Sequence, residues 1–214
     1  MKKALIIYGG FVGHEPKEST EFWADILEGD GMEVVRSESL DDLTDPDISK
    51  QYSLIIPNWT MGSMSDEQVT GLDAAVTAGT GLGGWHGGMG DAFRANPKYN
   101  FITGGQFVAH PGGIKEYTVN IIDGDHPITA GLDDFQIFSE QYYLHVDPGN
   151  QVIANTTFDG IGAPWTCGVV MPVVWTKSWG RGRVFYCSLG HSVTDFKIPG
   201  CQEIIRRGLL WAKN

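Results

Sequence analysis

With 214 residues, 42% of them hydrophobic, and a formal net charge of −11, the chain has the material for one globular domain over 1–214 and the wrong sign for a phosphate backbone. The same charge speaks against an anionic membrane surface, and no run approaches the ~18 apolar residues of a membrane span. The cysteines Cys167, Cys187 and Cys201 are odd in number and widely spaced. With an N-terminal apolar run too short for a signal-peptide core, they point to reduced thiols and a cytoplasmic protein.

Residues 3–8 (KALIIY) read as a buried parallel strand, short, apolar and stopped by Gly9 and Gly10. A helix follows over about 17–28, with Phe22, Trp23, Ile26 and Leu27 at helical spacing and Gly29 and Gly31 at its end. Strands are predicted at 32–37 and 52–58. Ser65 and Gln68 form a capping-box signature for a helix to about 78. TGLGGWH at 80–86 reads as a strand entering a glycine turn, with a short helix at about 88–94. This β-α-β-β-α-β-α order is that of an α/β fold with a mostly parallel sheet. The second half is richer in strands, at 116–122, 135–146, 151–157, 171–176 and 182–189, with a hairpin turn at Trp179-Gly180-Arg181-Gly182. Pro199 opens a last helix whose buried face carries Cys201, Ile204, Ile205, Leu209 and Ala212.

A strand that runs into a sharp glycine turn and then a helix displays one side chain at the carboxyl edge of an α/β sheet. In Gly83-Gly84-Trp85-His86-Gly87-Gly88 that side chain is His86, with the helix start behind it as a donor of free N–H groups. The alternative is a glycine turn whose histidine bonds only to backbone. Glu140 lies among aromatics in an otherwise apolar strand. It is either an acid or base of perturbed pKa or a carboxylate capping a turn or pairing with a structural arginine. His191 closes Tyr186-Cys187-Ser188-Leu189-Gly190-His191 at another strand end, as a site residue or as a loop histidine. His14 follows the first strand, and His110 lies in the glycine-rich loop 104–113. His126 and His145 carry weaker signals.

No His-x-x-x-His or His-x-His occurs, so there is no local zinc motif. A sheet edge can still gather distant ligands, and His14, His86 and His191 with Glu140 have the types that hold zinc or a similar divalent ion. Cys187 and Cys201 read as small buried hydrophobes. Trp59 and Trp85 read as pocket walls on which a sugar ring could stack, Trp175 and Trp179 as packing around the hairpin.

Five stretches together, GGWHGG (83–88), GGQFVAHPGG (104–113), HPITAGL (126–132) with Phe135, the Glu140-x-Tyr142 pair and FYCSLGH (185–191), resemble the trehalose-utilisation ThuA-like family. The resemblance covers about half the chain. It implies a class I glutamine amidotransferase-like (flavodoxin-like) α/β sandwich, with extra antiparallel strands in the second half, and a role in the catabolism of trehalose-type sugars. The amidotransferase elbow Gly-x-Cys-x-Gly reads Gly84-Trp85-His86-Gly87-Gly88 in this chain, and the late His-x-Glu reads His191-Ser192-Val193. With neither Cys nor Glu in place, glutamine hydrolysis is not expected. The expected chemistry is on a sugar or keto-sugar, with His86, Glu140 and His191 catalytic and His14, Trp59, Trp85, His110 and Tyr142 binding substrate. The candidate metal ligands are His14, His86 and His191. The alternatives are a non-catalytic sugar-binding or assembly domain and a hydrolase using His86 with water. The expected partner is a small carbohydrate, with a homodimer as the expected assembly.

Overall fold

The computed structural model describes residues 2–213. In chain order the elements are β1 (Lys3–Gly10), α1 (Pro16–Gly29), β2 (Glu33–Ser37), α2 (Ile48–Gln51), β3 (Leu54–Thr60), α3 (Asp66–Ala78), β4 (Gly81–Trp85), α4 (His86–Gly90), α5 (Pro97–Thr103), β5 (Gly105–Ala109), β6 (Ile114–Ile121), β7 (Phe135–Glu140), β8 (Tyr143–Val146), β9 (Gln151–Thr157), β10 (Val170–Trp179), β11 (Gly182–Cys187) and α6 (Pro199–Ala212). Short 3₁₀ turns at Val12–His14 and Asp195–Lys197 matter for the site.

One sheet runs through the molecule in the order β2-β1-β3-β4-β11-β10-β9-β6-β7. It is parallel from β2 to β11 and antiparallel from β11 to β7. The order of its parallel part, 2-1-3-4 and then β11 in fifth place, is the flavodoxin-like order, in which ligands gather beyond the strands' carboxyl ends. The expected α/β sandwich with added antiparallel strands is thus the fold observed.

Alternation along the central strands explains the layers. Ala4 and Ile6 face a core shared with Trp23, Ala24 and Leu27 of α1 and Ile204, Ile205 and Leu209 of α6. Leu5 and Ile7 face the other core, with Val69, Leu72 and Val76 of α3 and Tyr99 and Ile102 of α5. Strands covered on both faces read as unbroken apolar runs, and burying each leucine, isoleucine or valine side chain among them contributes about 1.5–3 kcal/mol. The capping box of Ser65 and Gln68 is formed.

Three expectations are corrected. The predicted strand 135–146 breaks at Gln141 and Tyr142 into β7, which pairs with β6, and β8, which pairs with β5 in a separate two-stranded sheet. The buried Gln141 amide donates to Thr156 Oγ1 (2.8 Å) and to the Thr157 carbonyl (3.3 Å), and this anchors the break. The loop read at 104–113 contains β5. The helix placed at 88–94 is the five-residue α4, which begins at His86 itself; one turn aligns too few peptide dipoles to act as the anion-binding end expected of it.

Candidate active site and metal centre

Four strand ends and turns deliver the chemistry. His14 closes the turn after β1, His86 follows β4, Glu140 ends β7, and His191 lies just past β11. One donor atom from each of the four falls within 4.8 Å of the others.

His86 sits at φ 41°, a left-handed conformation that costs a non-glycine residue of order 1–3 kcal/mol and persists only where the surroundings over-determine it. They do so here. The His86 carbonyl accepts from Tyr186 Oη (3.0 Å), its ring lies stacked on Tyr142 at 4.0 Å, and its Nδ1 donates to the Ser188 carbonyl at 2.9 Å. Because a carbonyl only accepts, Nδ1 carries the proton, and Nε2 faces Glu140 Oε2 at 3.2 Å. Gly87 and Gly88 are required by close approach. A Cβ on Gly87 would meet the His14 ring at 2.6 Å, and one on Gly88 would meet Asn58 Oδ1 at 2.7 Å.

His14 is oriented by Thr60 at the end of the neighbouring β3, with Nδ1 and Oγ1 2.9 Å apart. Its ring lies edge-on to His86 (4.8 Å) and His191 (5.2 Å). His191 Nδ1 approaches Glu140 Oε2 at 3.4 Å, yet it is buried without an aligned hydrogen bond. His110 stands at the rim, half-exposed, with Nε2 3.7 Å from Glu140 Oε1.

Three imidazoles around one carboxylate perturb one another. Burial, then the neighbouring His86 and His191, push His14 down to about 3. Burial pushes the Glu140 carboxyl up, but the two imidazoles beside it outweigh that and hold it well below the usual carboxylate range. Contact with Glu140 raises His191 against the opposing effect of burial.

The linkage signs follow for the metal-free protein. His14 gains stability as pH rises from about 3 to 6.5. Glu140 contributes stability that is present above its ordinary value of 4.5 and lost as pH falls through the depressed one. His191 contributes stability that is complete below 6.5 and lost as pH rises through its elevated value. Thermal melts in chelator are therefore expected to peak near pH 6.5 and to fall on both sides; a profile that is flat from pH 4 to 9 contradicts this electrostatic picture.

The donor set fits a divalent ion. Imidazole nitrogens with one carboxylate suit zinc and its first-row neighbours, whereas calcium and magnesium take oxygen ligands. Ligand atoms at ~2.1 Å around a tetrahedral zinc ion lie about 3.4 Å apart, so the 4.8 Å spread closes with a contraction of about 1.4 Å in its widest pair. The buried His191 nitrogen without a hydrogen-bond partner is what an ion would satisfy.

Of the residues singled out in the sequence, the structure brings together His14, His86, Glu140 and His191, with His110 at the rim and Tyr142 stacked beneath His86. It does not bring the tryptophans to them. Trp85 is 2% exposed, its indole packed against Trp23 and Phe196 in the α1–α6 core; it corrects the expectation of a pocket wall, because both faces of β4 are covered and this one turns into that core. The Trp59 ring lies against Gly9 and Gly62. His126 accepts from the Ile128 N–H, and the exposed His145 pairs with Gln106 in the small sheet. Burial pushes the Cys187 thiol up to about 12 and the Cys201 thiol well above its ordinary value, which suits small hydrophobes and not nucleophiles.

Aromatic walls are present, on residues that sequence reading passed over. Phe11, 46% exposed, meets the edge of His14 at 5.3 Å. Phe107 packs on Tyr142 at 4.5 Å and on His110 at 5.8 Å. Phe107 was hidden in a segment read as loop, and Phe11 lies in the same glycine-flanked turn as His14. Among the described residues, no helix is long and apolar enough to cross a membrane.

The family described as "ThuA: Trehalose utilisation" matches residues 3–212. A search of the curated proteins finds no match. Among solved structures, a protein described as ThuA-like from Parabacteroides merdae ATCC 43184 aligns over 99% of this chain and 89% of its own at 21% identity, TM-score 0.78. Another described as ThuA-like, from Bacteroides uniformis ATCC 8492, aligns over 98% and 89% at 20% identity, TM-score 0.77. A β-galactosidase of Bacillus circulans sp. alkalophilus aligns over 99% of this chain and 30% of its own at 13% identity, TM-score 0.60. At these identities the likeness is one of fold.

Proposed function

The chain belongs to the ThuA family of trehalose-utilisation proteins, and on that footing we propose that it is a metal-dependent enzyme acting on a sugar or keto-sugar of trehalose-type catabolism. The observation that carries the reading is the convergence of His14, His86, Glu140 and His191 from four separate segments onto one point at the sheet's carboxyl edge. A fold held together by apolar cores has no need to gather three imidazoles, His86 buried and His14 and His191 partly so, around a carboxylate, and desolvating such groups is costly unless something pairs them.

A zinc or similar ion held by these residues would polarise a substrate carbonyl as a Lewis acid. The chain's own residues supply the rest. A keto-sugar has an acidic hydrogen on the carbon next to its carbonyl, and removing it takes a base in reach and a stabilised oxygen. With His14, His86 and His191 committed to the cluster, His110 is the imidazole left to move the proton. Its Nε2 takes it from that carbon as the C–H electron pair moves toward the carbonyl oxygen. In isomerisation the hydroxyl proton on that carbon passes to the former carbonyl oxygen, leaving a new carbonyl there, and His110 delivers its proton to the former carbonyl carbon; in eliminative cleavage the enolate pair re-forms the carbonyl, the C=C shifts one bond along as the glycosidic C–O bond breaks, and His110 protonates the departing oxygen. Glu140 orients His110 from 3.7 Å, and Phe11 and Phe107 offer the apolar faces on which a sugar ring stacks. Glutamine hydrolysis is not part of the reading, since a histidine stands at the elbow where a thiol is needed.

A second reading, a sugar-binding or assembly domain without turnover, rests on the recurrence of this fold as 30% of a β-galactosidase chain. One experiment separates them. Zinc-loaded protein is incubated with a keto-disaccharide in heavy water, and the carbon beside the carbonyl is followed by NMR. Deuterium incorporation that is lost in His110→Ala is expected; sugar binding with no exchange at any pH favours the second reading.

A further inference from the structure

His86 and His191 follow β4 and β11, which are hydrogen-bonded neighbours with Trp85 opposite Cys187, so the sheet itself sets their spacing. Glu140 has no such tie. It ends β7, the far edge strand, with β10, β9 and β6 between it and β11, and the small twist between each pair of strands accumulates over that distance. His14 lies on a turn beyond β1, also away from β11. Thr60 on β3 orients the His14 ring and Tyr117 on β6 donates to the Glu140 carbonyl, but neither contact reaches His191, so a further tie must hold these two residues against it.

The segment 191–195 does this through two carboxylates. Asp195, buried at 5% exposure, accepts on one oxygen from the His191 N–H (2.9 Å) and from the Ser139 hydroxyl (2.5 Å). Ser139 directly precedes Glu140. Glu15, which directly follows His14, accepts on Oε2 from the Val193 N–H (2.9 Å). Among the described residues neither carboxylate forms an ion pair with Lys or Arg. Asp195, buried without a cation, is a net cost that packing does not explain. Glu15 is itself held at φ 49° in the left-handed region, a further cost at the same place.

We propose that Asp195 and Glu15 are positioning residues that make the 191–195 segment a strut, holding Glu140 and His14 at ligand distance from His191. The proposal rests on the metal-site reading above for its purpose, but not for its geometry. Each carboxylate acts one residue away from a member of the cluster, through a main-chain or hydroxyl hydrogen bond, and touches no substrate. Removing its acceptor frees the strut on one side, and the donor atoms then spread beyond the span of one ion.

The test uses the full chain loaded with Co(II), whose visible d–d bands report the ligand geometry. Asp195→Ala and Glu15→Ala are expected to weaken Co(II) binding by about 10–100-fold, the usual effect of removing an outer-shell partner, and to change the band pattern. Asp195→Asn and Glu15→Gln, which keep an acceptor oxygen, are expected to restore most of both. Ser139→Ala, which removes one hydroxyl, serves where an alanine variant fails to fold and is expected to shift the bands in the same way. Wild-type affinity and bands in the alanine variants, with only a lowered Tm, would mean merely structural carboxylates and overturn the proposal. If wild-type protein takes no Co(II), the metal reading falls, and the strut is judged by crystal structures of Ser139→Ala and Glu15→Ala. Displacement of Glu140 or His14 from His191 then upholds it, and an undisturbed cluster refutes it.

Discussion

Replacing His86 by alanine is expected to abolish divalent-ion binding and turnover together while the chain stays folded. In the proposed metal site this imidazole is a direct ligand, so its loss should exceed the roughly 10–100-fold that removing a ligand's own partner costs. The stability effect is smaller than burial alone indicates. The variant loses the Tyr142 stacking and the Nδ1 bond to the Ser188 carbonyl, about 1–3 kcal/mol for a buried group left unpaired. His86→Gly separates the two effects, because glycine adopts φ 41° without strain. It should be as dead as the alanine variant and melt no lower. Zinc calorimetry beside thermal melts checks both variants; wild-type affinity in either contradicts the assignment of His86.

Glu140→Gln is expected to lower activity by about 10²–10⁴-fold, the range associated with a lost acid–base or orienting group, and to weaken metal binding with it. The substitution keeps shape and removes the charge that raises His191. The fall in stability above pH 6.5 that His191 causes in the metal-free protein should therefore vanish, while the acid-side decline from His14 remains. Melts of the two proteins across pH 5–9 compare the profiles directly. A variant whose alkaline limb matches the wild type would show that Glu140 does not set the His191 proton.

The parallel half of the fold was legible because its strands are buried on both faces. KALIIY and YSLIIPN are unbroken apolar runs, and the glycines after them mark the edge where side chains emerge. The same rule singles out His14, His86 and His191, since each follows such a strand or its glycine turn, and Glu140 stands out as a carboxylate among aromatics; the fold brings these four together. What was not legible is pairing. Nothing in FQIFSEQYYLHV says that Gln141 leaves the strand to bond Thr156, so β7 and β8 merged into one. Nor does composition place β7 at the far edge, with Glu140 folded back onto strands four places away. The helix α5 was missed although its signals are present, with Asn96 as the cap, Pro97 at its start and Gly104 at its end. Its apolar residues were too few to show a period. Trp85 was misjudged because an indole beside a glycine elbow suggests a ligand wall, whereas both faces of β4 are covered and this one turns into the core.

The most direct test of the account is a calorimetric titration of chelator-stripped protein with Zn(II) at pH 7.5. Binding of one equivalent, with a release of protons that grows as the pH is lowered because Glu140 favours the charged form of His191, is the predicted result, and it should disappear in His14→Ala, His86→Ala and His191→Ala alike. No uptake by the wild-type chain, or uptake indifferent to all three substitutions, would contradict a metal centre at the meeting point of these strands.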